Sequence, residues 1–397
     1  MILALRLRVA LACLITLSAA SFAKSAAAYP WMIRHEYTAC IQCHVDPDGA
    51  GLLTEYGRAQ GETLLRTQYT KSAADEEPGR VKDFLWGAFK APDWLLLGGS
   101  IRPALLMVHI PGQGTVTTPL LMEGDLRVGI RAGGFRASAS AGVISTSGSL
   151  ASIVGPVVSR EHWAGYAWDD DAFMVRAGRM NLPFGLRLLE HPLWVRARET
   201  TQTDIDDGQQ HGAAFDYTGG RFRGSIMGIA GNYQISPDAF RQRGYSGYLE
   251  MSPTSRLAVG VSSLVTYAEK DLNLGVPDVR ELHGGFVRAS PVKALVILAE
   301  GDAMINTTKP SSVSSVGFVS MLQADVEPIQ GVHLIATGET LSPGGLAPKS
   351  SFGAWASVQW FFLPHADIRF DFTYRSMAEG NQLIPVQSYL LQTHIYL

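Results

Sequence analysis

The stretch Asp367-Ile368-Arg369-Phe370-Asp371-Phe372-Thr373-Tyr374-Arg375 constrains the fold more than any other part of the chain. Side chains on a strand alternate between its two faces. Ile368, Phe370, Phe372 and Tyr374 therefore share one face, and Asp367, Arg369, Asp371, Thr373 and Arg375 share the other. A soluble sandwich can carry one such strand at its surface. Here the arrangement recurs. Leu126, Val128 and Ile130 alternate with Glu123, Asp125, Arg127 and Arg131, and Phe135, Ala137, Ala139, Ala141 and Val143 alternate with Arg136, Ser138 and Ser140. Repeated segments with an apolar outer face and a charged inner one are the signature of a transmembrane β-barrel. No apolar run approaches the ~20 residues that a spanning helix needs, so strands are the means of crossing. The chain has 397 residues, 46% hydrophobic and 17% charged, with net charge −3. That balance excludes a disordered chain and lacks the basic footprint of a nucleic-acid binder.

Short turns are expected near 131–134, 169–171, 218–220, 252–255, 290–293, 327–331 and 363–365. Longer loops are expected near 110–117, 147–160, 181–207, 232–242, 268–281, 304–314, 343–350 and 378–384. Seven turns and eight loops make fifteen connections, hence an all-β transmembrane antiparallel barrel of about 16 strands, an even count that puts both barrel ends on the periplasmic side. Closure is required, because an open sheet edge in lipid leaves backbone groups unpaired. Trp360-Phe361-Phe362, just before a short turn, fits an interfacial aromatic girdle, and Tyr389, Leu391, Thr393, Ile395 and Leu397 fit an outward face of the last strand. The loop from Asn181 to Gln209 is the longest connection and mixes Phe184, Leu188, Leu189 and Trp194 with Arg187, Arg196, Arg198, Asp204, Asp206 and Asp207. It is expected to fold into or over the lumen.

Arg6 and Arg8, the apolar run Val9 to Ala20 and the small residues up to Ala28 read as a secretory signal peptide. Cys13 lies within that run and is lost with it. The exported chain then keeps two cysteines, in Cys40-Ile41-Gln42-Cys43-His44. This Cys-x-x-Cys-His spacing marks c-type haem attachment. Two thiols one turn apart reach the two vinyl groups of one macrocycle, and His44 becomes the proximal iron ligand. A thiol redox pair would need no histidine, and a zinc site would need a second pair of ligands at finger spacing. For the sixth ligand, His35 is favoured and Met32 is the alternative. The turn-rich stretch Val45 to Gly51 follows, then a helix from Thr54, its cap, to Thr67.

The order is therefore a signal at 1–28, a small helical and loop segment for one covalent haem c at 29–67, a linker at 68–93 and the barrel at 94–397. The chain resembles outer-membrane porins of Gram-negative bacteria that carry an N-terminal c-type haem segment. The resemblance is carried by Cys40, Cys43 and His44, by Leu53-Thr54 and Gly57-Arg58, and by Gly178-Arg179 through Leu182-Pro183-Phe184-Gly185. The last stretch is similar to the strand-to-loop segment of phosphate-type and related porins. Leu397 departs from the terminal Phe usual in such barrels. The resemblance implies haem binding, electron transfer and outer-membrane residence, with the haem segment in the periplasm. It names no substrate.

One haem cannot bridge an apolar band ~25 Å tall. The haem is thus expected to relay electrons to or from a periplasmic or barrel-associated cytochrome, with the barrel as scaffold in outer-membrane lipid. In the alternative the barrel is a porin for small polar solutes, and the haem segment is its plug or redox-sensitive gate. No nucleophile or acid–base constellation points to an enzyme. The segment is too small to enclose a macrocycle, so a haem edge is expected to be exposed. The polar connector Ser72 to Lys82 would let it dock at the barrel mouth or swing to a donor. The lumen charges Arg127, Arg136, Arg369, Arg375, Asp125, Asp367 and Asp371 suit a water-filled pore.

Overall fold

A computed structural model of the chain describes residues 29–49, 51–69, 84–143, 157–188, 190, 192–197, 200–203, 208–233, 236–271, 275–309, 313–344, 350–379 and 382–397. The signal peptide and the connector Ser72 to Lys82 lie outside the described residues.

The strands follow in chain order as one meander. They are β1 (Leu95–Ile110), β2 (Gly114–Ala132), β3 (Phe135–Val143), β4 (Val157–Val158), β5 (His162–Trp168) and β6 (Phe173–Met180). Next come β7 (Gln210–Gly219), β8 (Phe222–Gly231), β9 (Gln242–Thr254), β10 (Leu257–Ala268), β11 (Asp278–Val292) and β12 (Leu295–Thr308). The last are β13 (Val313–Ile329), β14 (Val332–Ser342), β15 (Ser351–Leu363), β16 (Ala366–Glu379) and β17 (Gln382–Tyr396). The short β4 and β5 both pair with β3, one after the other along it, so the seventeen segments form sixteen staves. β1 pairs antiparallel with β17 from Ser100↔Tyr396 to His109↔Gln387, which closes the barrel. All seven short turns fall where the sequence puts them, at the end that also holds the start of β1 and the end of β17.

The alternation is real in three dimensions. Leu126 is 69% exposed on the outer wall, whereas its neighbour Asp125 is 4% exposed inside. Val358, Phe370 and Leu391 lie side by side on three neighbouring strands and all face outward. Trp360 faces outward as a girdle residue should, but Phe361 turns inward and is fully buried, because the period-two rule holds through the Trp-Phe-Phe run.

The lumen is not the water-filled bore that its charges suggest. Residues 29–49 and 51–69 occupy it. Arg34 is bound to Asp325 at 2.7 Å and Glu327 at 2.8 Å on β13. Thr38 is held by Arg223 of β8 and Arg288 of β11, each at 2.9 Å. Asp46 and Asp48 meet Arg176 of β6, and Arg58 reaches the Leu97 carbonyl of β1. Contacts on five strands around the circumference make the segment a plug rather than an appendage at the mouth. Trp31, Met32, Ile33 and Leu52 of the plug join inward residues such as Phe286, Met321 and Phe361 in one apolar core. The expected lumen charges are consumed in pairs: Arg127 with Glu123 and Asp125, Arg136 with Asp171, Arg369 with Glu190 and Asp371, and Arg375 with Glu339.

The long loop after β6 folds inward, as its apolar anchors predict. Leu182, Phe184, Leu186, Leu188, Leu193 and Trp194 are buried. Arg196 pairs with Glu300, Glu300 also accepts from the Leu186 N–H at 2.9 Å, and Glu339 accepts from the Trp194 N–H at 2.9 Å. Plug and loop thus fill the barrel from opposite ends.

Candidate haem site

Cys40–Gln42 form a single 3-10 turn in which the Cys43 and His44 N–H groups both donate to the Cys40 carbonyl, at 3.1 and 3.0 Å. That turn brings Cys40, Cys43 and His44 to one cavity. The chain then doubles back. His44 bridges Leu53, Val45 N–H donates to Leu52 O at 2.9 Å, and Thr54 N–H donates to Cys43 O at 2.9 Å. The reversal uses an Asp46-to-Asp48 side-chain turn at 2.8 Å and two left-handed glycines, Gly49 and Gly51. A side chain on Gly49 would also stand 3.2 Å from the Cys40 sulfur.

The helix begins at the expected cap: Thr54 Oγ1 accepts from Gly57 N–H at 3.1 Å. It runs Glu55–Gln60 and then widens into a π turn at Gly61–Leu65. Gly57 sits against the Cys43 backbone so closely that a Cβ would lie 2.3 Å from the Cys43 carbonyl oxygen. The Leu53-Thr54 and Gly57-Arg58 pairs therefore have physical jobs: cap, close approach, and tether to β1.

The cavity is open at a mouth on one side. Met32, Leu52 and Leu65 of the plug, Leu186 and Arg187 of the inward loop, and Arg102 of β1 complete its wall. Both cysteines are buried and unbonded. Burial pushes the Cys43 thiol up to about 12, so it is a neutral thiol, unlike the low-pKa thiolate of a redox-active pair. Apolar walls, two thiols, one imidazole and buried cations suit a flat, largely apolar macrocycle with acidic side chains. These residues fit haem c.

Met32 and His35 separate here. Met32 is 2% exposed and lines the cavity. His35 does not line it. Its ring lies toward Glu327, Lys293, Arg34 and His333 at the short-turn end, half-buried, with Nε2 unpartnered, and burial lowers it to about 4.

Arg176 is the plug's principal anchor, and the sequence alone does not reveal it. Its guanidinium holds Asp46 at 2.7 Å, Asp216 of β7 at 2.9 Å and Asp48. One cation faces three carboxylates, with Glu161, Arg187 and Asn181 nearby. Burial raises Asp46 and Asp48 above the usual carboxylate range despite Arg176. A carboxyl whose folded pKa is raised stabilises the fold at low pH and loses that contribution as pH rises through the folded value. The plug is thus expected to loosen as pH rises from about 4 to about 8. Hydrogen-exchange protection factors of residues 45–54 in detergent, with the intrinsic base-catalysed rate divided out, check this: protection that is unchanged or greater at the alkaline end contradicts it. The only hint in the sequence is two Asp residues flanking Pro47 beside the Cys-x-x-Cys-His run, and an Arg at an inward position of β6.

No protein-family model matches the chain, and no curated protein matches it. Solved structures do. A loop-L8 deletion mutant of OmpT, an outer-membrane protein of Vibrio cholerae, superposes with TM-score 0.58 at 9% identity, covering 76% of this chain and 99% of that one. The outer-membrane channel DcaP of Acinetobacter baumannii gives 0.57 at 9% identity over 78% and 99%. An anion-selective porin from Comamonas acidovorans gives 0.56 at 8% identity over 76% and 99%. At such identities the likeness is one of fold: an outer-membrane, porin-like barrel.

Proposed function

We propose that this chain is a plugged outer-membrane barrel that holds one covalent haem c within its lumen and serves in electron transfer. The reading rests on one observation above all: Cys40, Cys43, His44 and Met32 meet at a single cavity that barrel wall and inward loop complete. Cys40 and Cys43 would carry the thioethers, His44 the proximal bond, and Met32, favoured over His35 by its position, the distal one. When bound, the haem supplies a one-electron couple, which a Met ligand poises higher than a second His. The protein's share is to orient the macrocycle, exclude water with Leu52, Leu65 and Leu186, and surround it with paired charges. No turnover chemistry is proposed. The cavity lies toward the short-turn end, the end expected to face the periplasm, and the partner we propose is a periplasmic or barrel-associated cytochrome that approaches there.

A second reading, a solute porin with the haem segment as redox-sensitive gate, is favoured by the porin-like fold and by the plug's attachment through a small set of ion pairs. The two differ in measurable ways. The relay predicts low, redox-independent conductance in planar bilayers and rapid reduction by a soluble periplasmic cytochrome in stopped flow. Conductance that follows the redox state, with no electron exchange with any donor, overturns the relay and supports the gate.

A further inference from the structure

We propose that Arg187 is the counter-ion of one haem propionate, so that the inward loop, and not the haem segment alone, sets the electrostatics of the cofactor. The proposal rests on the haem reading above. Three other arginines of the cavity wall already have carboxylates: Arg102 with Glu123 at 3.1 Å, Arg127 with the same Glu123 at 2.6 Å, and Arg288 with Glu250 at 2.6 Å. Arg187 differs. It lines the cavity and is 7% exposed, yet no carboxylate among the described residues forms an ion pair with it.

Its surroundings hold it in place without a direct ion pair among the described residues, Asp48 and Glu250 acting on it only from a distance. Nη1 donates to the Gly185 carbonyl at 2.7 Å, the guanidinium lies 4.0 Å from the centroid of the Tyr248 ring, and Nε is buried with no partner. The backbone at Arg187 is left-handed, with φ 54, a conformation that a long side chain adopts only where its surroundings enforce it. The charged and titratable groups facing it are Tyr248 and Glu250 of β9, Arg288 of β11, and Asp48 and Cys40 of the plug. Glu250 is already shared by Arg223 and Arg288, and Asp48 by Arg176. A guanidinium stays protonated in proteins, and a buried, unpaired cation is costly. The missing anion is therefore one that the occupant brings. A planar carboxylate on a flexible arm matches the fork of Nε and Nη, and a haem presents two.

The test uses full-length protein matured with its haem. Haem content is measured first, and a wild type without haem removes the underlying reading rather than this one. With haem present, any slope of the wild-type midpoint potential across about pH 5–8 belongs to Asp46, Asp48 and the second propionate, since the propionate paired with Arg187 stays ionised. In Arg187→Met that propionate loses its partner and titrates in this range. Ionisation favours ferric haem, so the potential should fall more steeply with rising pH than in the wild type, while Arg187→Lys should restore most of the wild-type slope. A haem-loaded Arg187→Met protein with wild-type pH dependence overturns the proposal. Should that variant not fold, infrared difference spectra of the wild type carrying haem with 13C-labelled propionates decide. No protonated-propionate band above about pH 5 supports the pairing, and a strong one contradicts it.

Discussion

Replacing Arg176 with Met is expected to release the plug. The guanidinium is fully buried and is the shared partner of Asp46, Asp48 and Asp216. Removing one side of a buried charge network costs ~3–5 kcal/mol, because the remaining charges are left without compensation. Asp46 and Asp48 lie in the reversal that packs Gly49 against the Cys40 sulfur, so the damage reaches the cavity directly. The expected outcomes are a lower unfolding midpoint in detergent, cleavage by added protease within residues 45–54, and a rise in single-channel conductance. Arg176→Met combined with Asp46→Asn and Asp48→Asn should recover much of the loss, since two of the three stranded carboxylates are gone and only Asp216 remains. Unchanged midpoint and conductance in the single variant would show that the plug is held by its other contacts, those of Arg34, Thr38 and Arg58 and the apolar core.

The pair Phe370→Arg and Arg369→Ser separates the two faces of the wall. Phe370 lies outward between Val358 and Leu391, and a charge on the lipid face costs ~2–4 kcal/mol at the midplane. Its defect should appear as failure to fold into micelles or vesicles. By pattern alone, Arg369→Ser is a mild change on a wet inner face. The structure reverses that expectation. Arg369 binds Glu190 of the inward loop at 2.6 Å and Asp371 at 2.8 Å, and it is 7% exposed. Its loss strands the buried Asp371 and the half-buried Glu190, at up to ~3–5 kcal/mol, and frees the loop while the barrel still assembles. Urea unfolding of assembled protein distinguishes the two: a mild Arg369→Ser phenotype means that the lumen is wetter than the described contacts imply.

What could be read from the sequence follows from the range of the forces involved. Strand positions, the turns and the identity of the outward residues are local consequences of alternation and turn chemistry, and Phe370 or Leu126 declares its face by itself. The turn Cys40 to His44 and the cap at Thr54 are local in the same sense. The plug's location is not local. Arg34 meets Asp325 and Asp46 meets Arg176, pairs far apart in sequence whose charges look like ordinary solvated positions until closure brings them together. That is why the inner charges suggest a water-filled bore, and why the sequence leaves open whether the haem segment docks at the barrel mouth or plugs the lumen. The sequence leaves Met32 and His35 open for the same reason, since both lie within reach of Cys40 along the chain and only the barrel wall decides that Met32 faces the cavity. Phe361 has the aromatic identity of a girdle residue, but its parity along the strand turns it inward, and parity prevails.

The claim on which the rest depends is that Cys40 and Cys43 carry a haem inside the barrel. Intact mass of the exported protein, expressed in cells with a haem-attachment system and purified in detergent, tests it most directly. The account predicts the mass of the polypeptide plus one haem, thiols that resist alkylation after denaturation, and loss of both properties in the Cys40→Ala, Cys43→Ala variant. A bare polypeptide mass with two alkylatable thiols would contradict it and leave a plugged barrel without a redox centre.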